Sequence, residues 1–283
     1  MLACGATRDV GRIRSWQWYR ALVAPPRLYK TSAVVLGRFA LGEADRVLTL
    51  LTPDDGKVKA IAKGVRRPRS RLRGSLEPFA ELQLVLARGR TFDVVTQASV
   101  EHAWLALRDG LETTATAWYL SELADRASVE RAPAPTLYAL LCRAYAALDA
   151  GLPPARVARW YEFGVADELG MRPEVDRCVE CDRRLEADEA YRWVPTLGGL
   201  LCGRHAGPPA EQAGLSLAAL KVLKAYRRLD LQALASLQLP PSVEREAEQA
   251  MRLFVRQALE REPRSLAFLD EVRAETPSAG MRQ

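Results

Sequence analysis

AVVLGRFALGEADRVLTLLTPDDGKVKAIAKGV, residues Ala33 to Val65, carries its apolar residues in short runs and in alternation, not at helical spacing. That pattern predicts strands. Asp54-Asp55-Gly56 is a turn signal between Arg46–Thr52 and Lys57–Lys63, so these two segments are expected to form a hairpin. In the second segment Val58, Ala60 and Ala62 alternate with Lys57, Lys59, Ile61 and Lys63, which assigns the first set to a core and the second to an exposed face. Further along, Phe79–Leu86 and Thr91–Thr96 flank Arg88-Gly89-Arg90, a second hairpin signal. Four or five short strands in succession predict a small closed barrel or a sandwich.

After about Ser99 the pattern changes to helix. Leu107, Leu111, Trp118, Leu120 and Leu123, then Tyr138, Leu141, Tyr145 and Leu148, recur at helical spacings. Pro133 and Pro135 punctuate two helices, and Gly151-Leu152-Pro153-Pro154 opens a third through Trp160 and Phe163 to Gly170. Helical spacing returns at Leu215–Leu229, Val243–Leu259 and Ser265–Val272. The reading is therefore α+β, with a β-barrel or sandwich over 28–104 followed by an all-α domain over 105–275. Residues 1–27 read as an extension and 276–283 as a disordered tail.

Of the 283 residues, 48% are hydrophobic and 27% charged, the balance of a folded globular chain. No run of apolar residues is long enough for a transmembrane helix and no secretory signal is evident, so a cytoplasmic protein without membrane contact is expected. The net charge of +6 is unevenly placed. Residues 30–90 hold thirteen Lys or Arg against six Asp or Glu, while the part beyond residue 90 is net acidic. One anion-facing surface on the barrel follows.

The five cysteines are odd in number, and three fall in one segment, which argues for metal binding over a disulfide framework. Cys178-x2-Cys181 and Cys202-x2-His205 are two short hooks of metal-ligand type. Each lets a tight turn aim two side chains at one ion, and a Cys3His set suits a structural Zn²⁺ with no open position for catalysis. Tyr191–Val194 between the hooks reads as a strand and Gly198-Gly199 as a turn, giving a zinc-ribbon-like insertion at 176–207. The plainer alternative makes these small buried cysteines beside a solvated histidine. Cys142, in the apolar run Leu137–Leu148, reads as a buried structural thiol, and His102 as a structural histidine beside Trp104.

Lys63, Arg66, Arg67, Arg69, Arg71 and Arg73 put six cations into eleven residues with no acidic interruption, and Pro68 and the flanking glycines make this a loop. Such a loop can follow a phosphate backbone, releasing counterions without reading sequence. A solvated charge run or a loop touching acidic protein is the plainer alternative, and Lys57 and Lys59 on the preceding strand, with Arg88 and Arg90 on the neighbouring hairpin tip, are candidates for the same phosphate contact. Only Phe39, Phe79 and Phe92 offer aromatic rings between residues 30 and 100, so charge is expected to outweigh base stacking.

A basic barrel, a helical body and a Cys-rich hook late in that body together resemble the RecO family of bacterial recombination mediators. The resemblance spans about residues 28–275 and is carried by YKTSAVVLGRFALGEADRVLTLLTPDDGKVKAIAKGVRRPRSRLRG, with its EADR turn, DDG-K hairpin and basic loop in the family's order. It implies an OB-fold for the barrel and a zinc motif in the helical domain, commonly four cysteines where this chain has His205 as the fourth ligand. It also implies a non-enzymatic DNA-repair protein that binds single- and double-stranded DNA, anneals complementary strands and works with RecR. Contact with the acidic C-terminal tail of single-strand-binding protein and help in loading RecA are further implications. For that tail a pocket with an arginine rim is expected on the helical body, with Arg126, Arg131 and Arg143 as candidates.

Enzyme classes find no support in motifs. Gly56-Lys57 is followed by Val58 rather than Ser or Thr, and no GxGxxG, HExxH or GxSxG occurs. The rival from another class is a zinc-ribbon transcription regulator that reads specific duplex DNA.

Overall fold

The computed structural model describes residues 27–72, 74–185, 191–205 and 215–275. The extension up to residue 26 and the tail from 276 lie outside them. Strands β1 (Leu28–Leu41), β2 (Asp45–Thr52), β3 (Gly56–Ala62), β4 (Glu81–Ala87) and β5 (Asp93–His102) close into a barrel of order β1-β2-β3-β5-β4. Closure needs β1 to serve two neighbours. Its second half pairs with β2 and its first half with β4, and a bulge between Val35 and Gly37 bends it between the two. The remaining seam is a short parallel pairing of β3 with β5, at Ala60↔Asp93 and Ile61↔Val94. This is the OB-fold.

Alternation places Ala33, Val35, Leu48, Leu50, Val58, Ala60, Leu82, Leu84 and Leu86 inside the barrel. The opposite face of β1 and β2 supplies Val34, Leu36 and Leu51 to the core of the helical domain. Barrel and body thus share a packed interface. Phe79, read as the start of a strand, is instead a wedge into that interface. It has φ 66°, and its ring lies 4.7 Å from Trp118 and 5.8 Å from Tyr145. Gly56, at φ 56°, is needed for the same packing, because a Cβ there would sit 1.9 Å from the Ala132 carbonyl oxygen.

The body contains α1 (Leu111–Ala127), α2 (Pro135–Asp149), α3 (Pro154–Glu168), α4 (Leu217–Arg228), α5 (Leu231–Ser236), α6 (Pro241–Ala258) and α7 (Arg264–Glu275). Leu120, Leu123, Leu141, Tyr145 and Tyr161 build its interior. A charged cluster is buried with them. Arg159 bonds Glu162 and Glu248, Tyr119 donates to Glu162 at 2.5 Å, and Arg273 joins Glu248 to Glu112 across α1, α6 and α7. No helix among the described residues is long and apolar enough to cross a membrane.

Between α3 and α4 the chain forms a three-stranded sheet of β6 (Glu174–Cys178), β7 (Tyr191–Val194) and β8 (Gly199–Cys202), in order β6-β8-β7. It is pinned to the body at two points. Trp193 is fully buried, its Nε1 donating to the Ala250 carbonyl of α6 at 3.0 Å. Asp176 receives Lys224, Arg227 and Arg228 of α4, each at 3.1 Å.

Candidate nucleic-acid interface and metal centre

The two hooks meet at one point. The ligand atoms of Cys178, Cys181, Cys202 and His205 all lie within 4.8 Å of one another. Cys181 and Cys202 sulfurs are 4.0 Å apart, and His205 Nδ1 is 3.3 Å from Cys202 Sγ and 3.7 Å from Cys178 Sγ. Tetrahedral geometry with the usual Zn–S and Zn–N lengths asks for S···S near ~3.8 Å and S···N near ~3.5 Å. The donor set fits. The first hook leaves β6 and is held by the Asp182 amide on the Cys178 carbonyl at 2.8 Å, with Asp182 at φ 57°. The second follows β8, and the His205 amide closes its turn on the Cys202 carbonyl at 2.9 Å.

Burial alone would raise the Cys178 pKa, but amides of Cys202, Cys181 and Glu180 directed at its sulfur outweigh that and bring it down to about 6. Burial acts the same way on Cys202, where His205 and the Arg204 amide pull the pKa below the ordinary thiol value. Backbone dipoles therefore favour thiolate at the centre of the site before any ion arrives. Cys142 is the contrast: half-buried, with its thiol pushed up to about 12, chiefly by desolvation. His102 bonds Glu81 at 2.8 Å and stacks on Trp104, away from the metal cluster.

The structure divides the basic residues of the barrel into two sets. Lys57 and Lys59, read as an exposed face, both pair with acids of the body, Lys59 staying exposed as expected and Lys57 becoming half-buried. Lys57 Nζ is 2.9 Å from Asp125 of α1 and only 17% exposed, and Lys59 Nζ is 2.7 Å from Glu130 in the α1–α2 loop. Arg88 is also engaged, bonding Asp55 at 3.3 Å with its guanidinium over the Tyr29 ring. Lys63, Arg66, Arg67, Arg69 and Arg71 are exposed, as is Arg90, and none forms an ion pair among the described residues. Arg73 lies outside the described residues.

The loop is seated on the β1–β2 turn. The Arg66 amide bonds the Ala44 carbonyl at 3.0 Å, Arg66 Nη1 bonds the Gly42 carbonyl at 3.2 Å, and the Gly64 amide bonds Asp45 Oδ1 at 2.7 Å. The turn itself exposes Phe39 and Leu41. Sequence reasoning counted Phe39 among the few available rings but had no means of knowing that it faces solvent. The arginines proposed for a tail pocket are each engaged separately. Arg126 bonds Glu122 and the carbonyls of Arg261 and Glu262, Arg131 bonds buried Asp93, and Arg143 lies 4.9 Å over Trp160.

Two family models match, described as Recombination protein O N terminal over residues 27–104 and Recombination protein O C terminal over residues 108–267. The chain belongs to the RecO family of DNA repair proteins. RecO relatives match 85–88% of it. The DNA repair protein RecO of Roseiflexus sp. (strain RS-1) is 38% identical over 247 residues, 87% of each chain. That of Dehalococcoides mccartyi (strain CBDB1) is 33% identical over 250 residues, 88% of this chain and 97% of the relative. That of Desulforudis audaxviator (strain MP104C) is 38% identical over 246 residues, 85% and 96% respectively. The break between the two RecO matches falls at residues 105–107, in the 3₁₀ turn Leu105–Arg108 that joins barrel to helices.

Proposed function

We propose that this RecO-family chain is a non-enzymatic recombination mediator that binds single- and double-stranded DNA without sequence preference and anneals complementary strands. With RecR it helps load RecA onto DNA covered by single-strand-binding protein. The observation that carries the reading is the basic loop, where Lys63, Arg66, Arg67, Arg69 and Arg71 project from the barrel without acidic partners among the described residues. Two DNA strands repel each other, and an exposed set of guanidinium groups that screens both phosphate chains lowers the barrier to their encounter without breaking a covalent bond.

Cys178, Cys181, Cys202 and His205 would hold a Zn²⁺ ion, which supplies a cross-link between the two hooks. Four ligands fill a tetrahedral shell, so the role is structural. The ribbon's Trp193 and Asp176 are committed to α6 and α4, which favours an internal brace over the alternative of a base-reading module.

The test is annealing of two complementary fluorescent oligonucleotides without ATP, bare and coated with single-strand-binding protein. Wild type should anneal both, and a variant with Arg66, Arg67, Arg69 and Arg71 changed to Ala should be slowed at least tenfold. Failure of the wild type to anneal bare strands would overturn the reading.

A further inference from the structure

We propose that Phe39 and Leu41 form a base-stacking platform that gives the basic surface its preference for single-stranded nucleic acid. This rests on the DNA-binding reading above. Phe39 is 55% exposed and Leu41 40%, large apolar surfaces that a barrel with a filled interior has no internal use for. Register fixes their setting. Phe39 pairs with Val47, and Val47 with Ile61, so the three side chains stand in one row on the outer face of β1, β2 and β3. Val47, the middle member of the row, is fully buried, while Phe39 beside it stays exposed.

Charge complementarity identifies the occupant. Arg66 caps the β1–β2 turn through the Gly42 and Ala44 carbonyls, which places the basic loop directly beside the platform. At the other end of the same face, the cleft floored by Gly37 and Thr49 offers one cation, Arg264, beside Glu122 and Asp125, which are already paired to Arg126 and Lys57, against the loop's five cations that form no ion pair among the described residues. A bound strand therefore runs from Phe39 toward Arg66 and Arg67. Its phosphates meet guanidinium groups, and an unstacked base covers the ring. In a duplex both base faces are already stacked, so the platform has nothing to receive and only the charges contribute.

Fluorescence anisotropy of the full chain with labelled oligothymidylate and with a mixed-sequence duplex tests this. Phe39→Ala should weaken oligothymidylate binding roughly tenfold or more, change duplex binding less than about twofold, and leave the slope of affinity against salt unchanged. Phe39→Trp should restore affinity and show emission quenching on binding that wild type lacks. Equal losses on both nucleic acids, or no loss on either, would overturn the platform while leaving the DNA reading intact. Binding of neither nucleic acid by the wild type would sink that reading, and the platform with it. Conversion of a dimer to a monomer by Phe39→Ala in sedimentation, without change in DNA affinity, would instead make this face a contact between two copies and also overturn the proposal.

Discussion

Arg131 Nη2, on the loop between α1 and α2, lies 2.7 Å from Oδ1 of Asp93, a carboxylate with no exposed surface at the start of β5. Tyr29 donates to the other oxygen and the Gly89 amide to the first at 3.1 Å, so one buried anion ties β1, the β4–β5 hairpin and the helical body together. Burial would raise the Asp93 pKa, but the bonds from Arg131, Tyr29 and Gly89 outweigh it and hold the carboxyl below its ordinary value. Arg131→Ala should destabilise the chain by about 2 kcal/mol, since it strips a buried carboxylate of its one ion-pair partner among the described residues. The sign with pH is fixed. A depressed folded pKa contributes stability above the unfolded value near 3.8 that is lost as pH falls through the folded pKa. Urea melts of wild type and variant should therefore differ fully at pH 7 and converge in acid.

The lysines of β3 and the arginines of the loop should separate in experiment. Lys57→Ala and Lys59→Ala remove ion pairs to Asp125 and Glu130, and should cost less than about 1 kcal/mol each while barely altering DNA affinity. Arg67→Ala and Arg69→Ala should instead flatten the salt dependence of binding. Each lost phosphate contact lowers the slope by about 0.7 on single strands and about 0.9 on duplex. A salt titration of the four variants decides this, and equal effects of lysines and arginines would contradict it.

The difference between those two sets marks where sequence reasoning stopped. Alternation of Val58, Ala60 and Ala62 with the lysines was legible because period two depends only on the pleat. The lysines' partners come from a helix and a loop far along the chain, so no local pattern announces them. Phe79 was misread for a related reason: its residues continue an apolar run, yet a positive φ lifts it out of β4 into the helical core. The metal cluster was legible because two-residue spacings within each hook constrain ligand direction locally. Exposure of Phe39 was not, since the sequence around it matches any other strand end.

Glu248 is the carboxylate on which the buried helical charges converge. Burial opposes its ionisation, but Arg159, Arg273 and Arg252 outweigh that and bring its pKa down to about 2 from 4.5. At about 1.36 kcal/mol per pH unit, the ionised form contributes on the order of 3 kcal/mol. That stability is present above pH 4.5 and declines as pH falls toward 2. Glu248→Gln should lose a similar amount at pH 7 in urea denaturation and little near pH 2. A constant difference across that range would mean that packing, not charge, is what Glu248 supplies.

Removal of one metal ligand should act locally and be visible from a distance. Cys202 is buried, ends β8 and bonds through its amide to Cys178 Sγ at 3.4 Å, so Cys202→Ser breaks the pair of hooks at their centre. Bound zinc should fall from one equivalent to near zero, and the melting temperature should drop by several degrees. The signal to follow is Trp193. Its ring lies 6.0 Å from Phe254 and its indole N–H is held by Ala250, so loosening of β7 and β8 should admit water and shift its emission to the red. The barrel has a separate interior of its own, so DNA affinity of the folded variant at low temperature should stay within about threefold of wild type. A loss of DNA binding matching the loss of zinc would place the ribbon in the interface itself and refute the division between a bracing centre and a binding barrel.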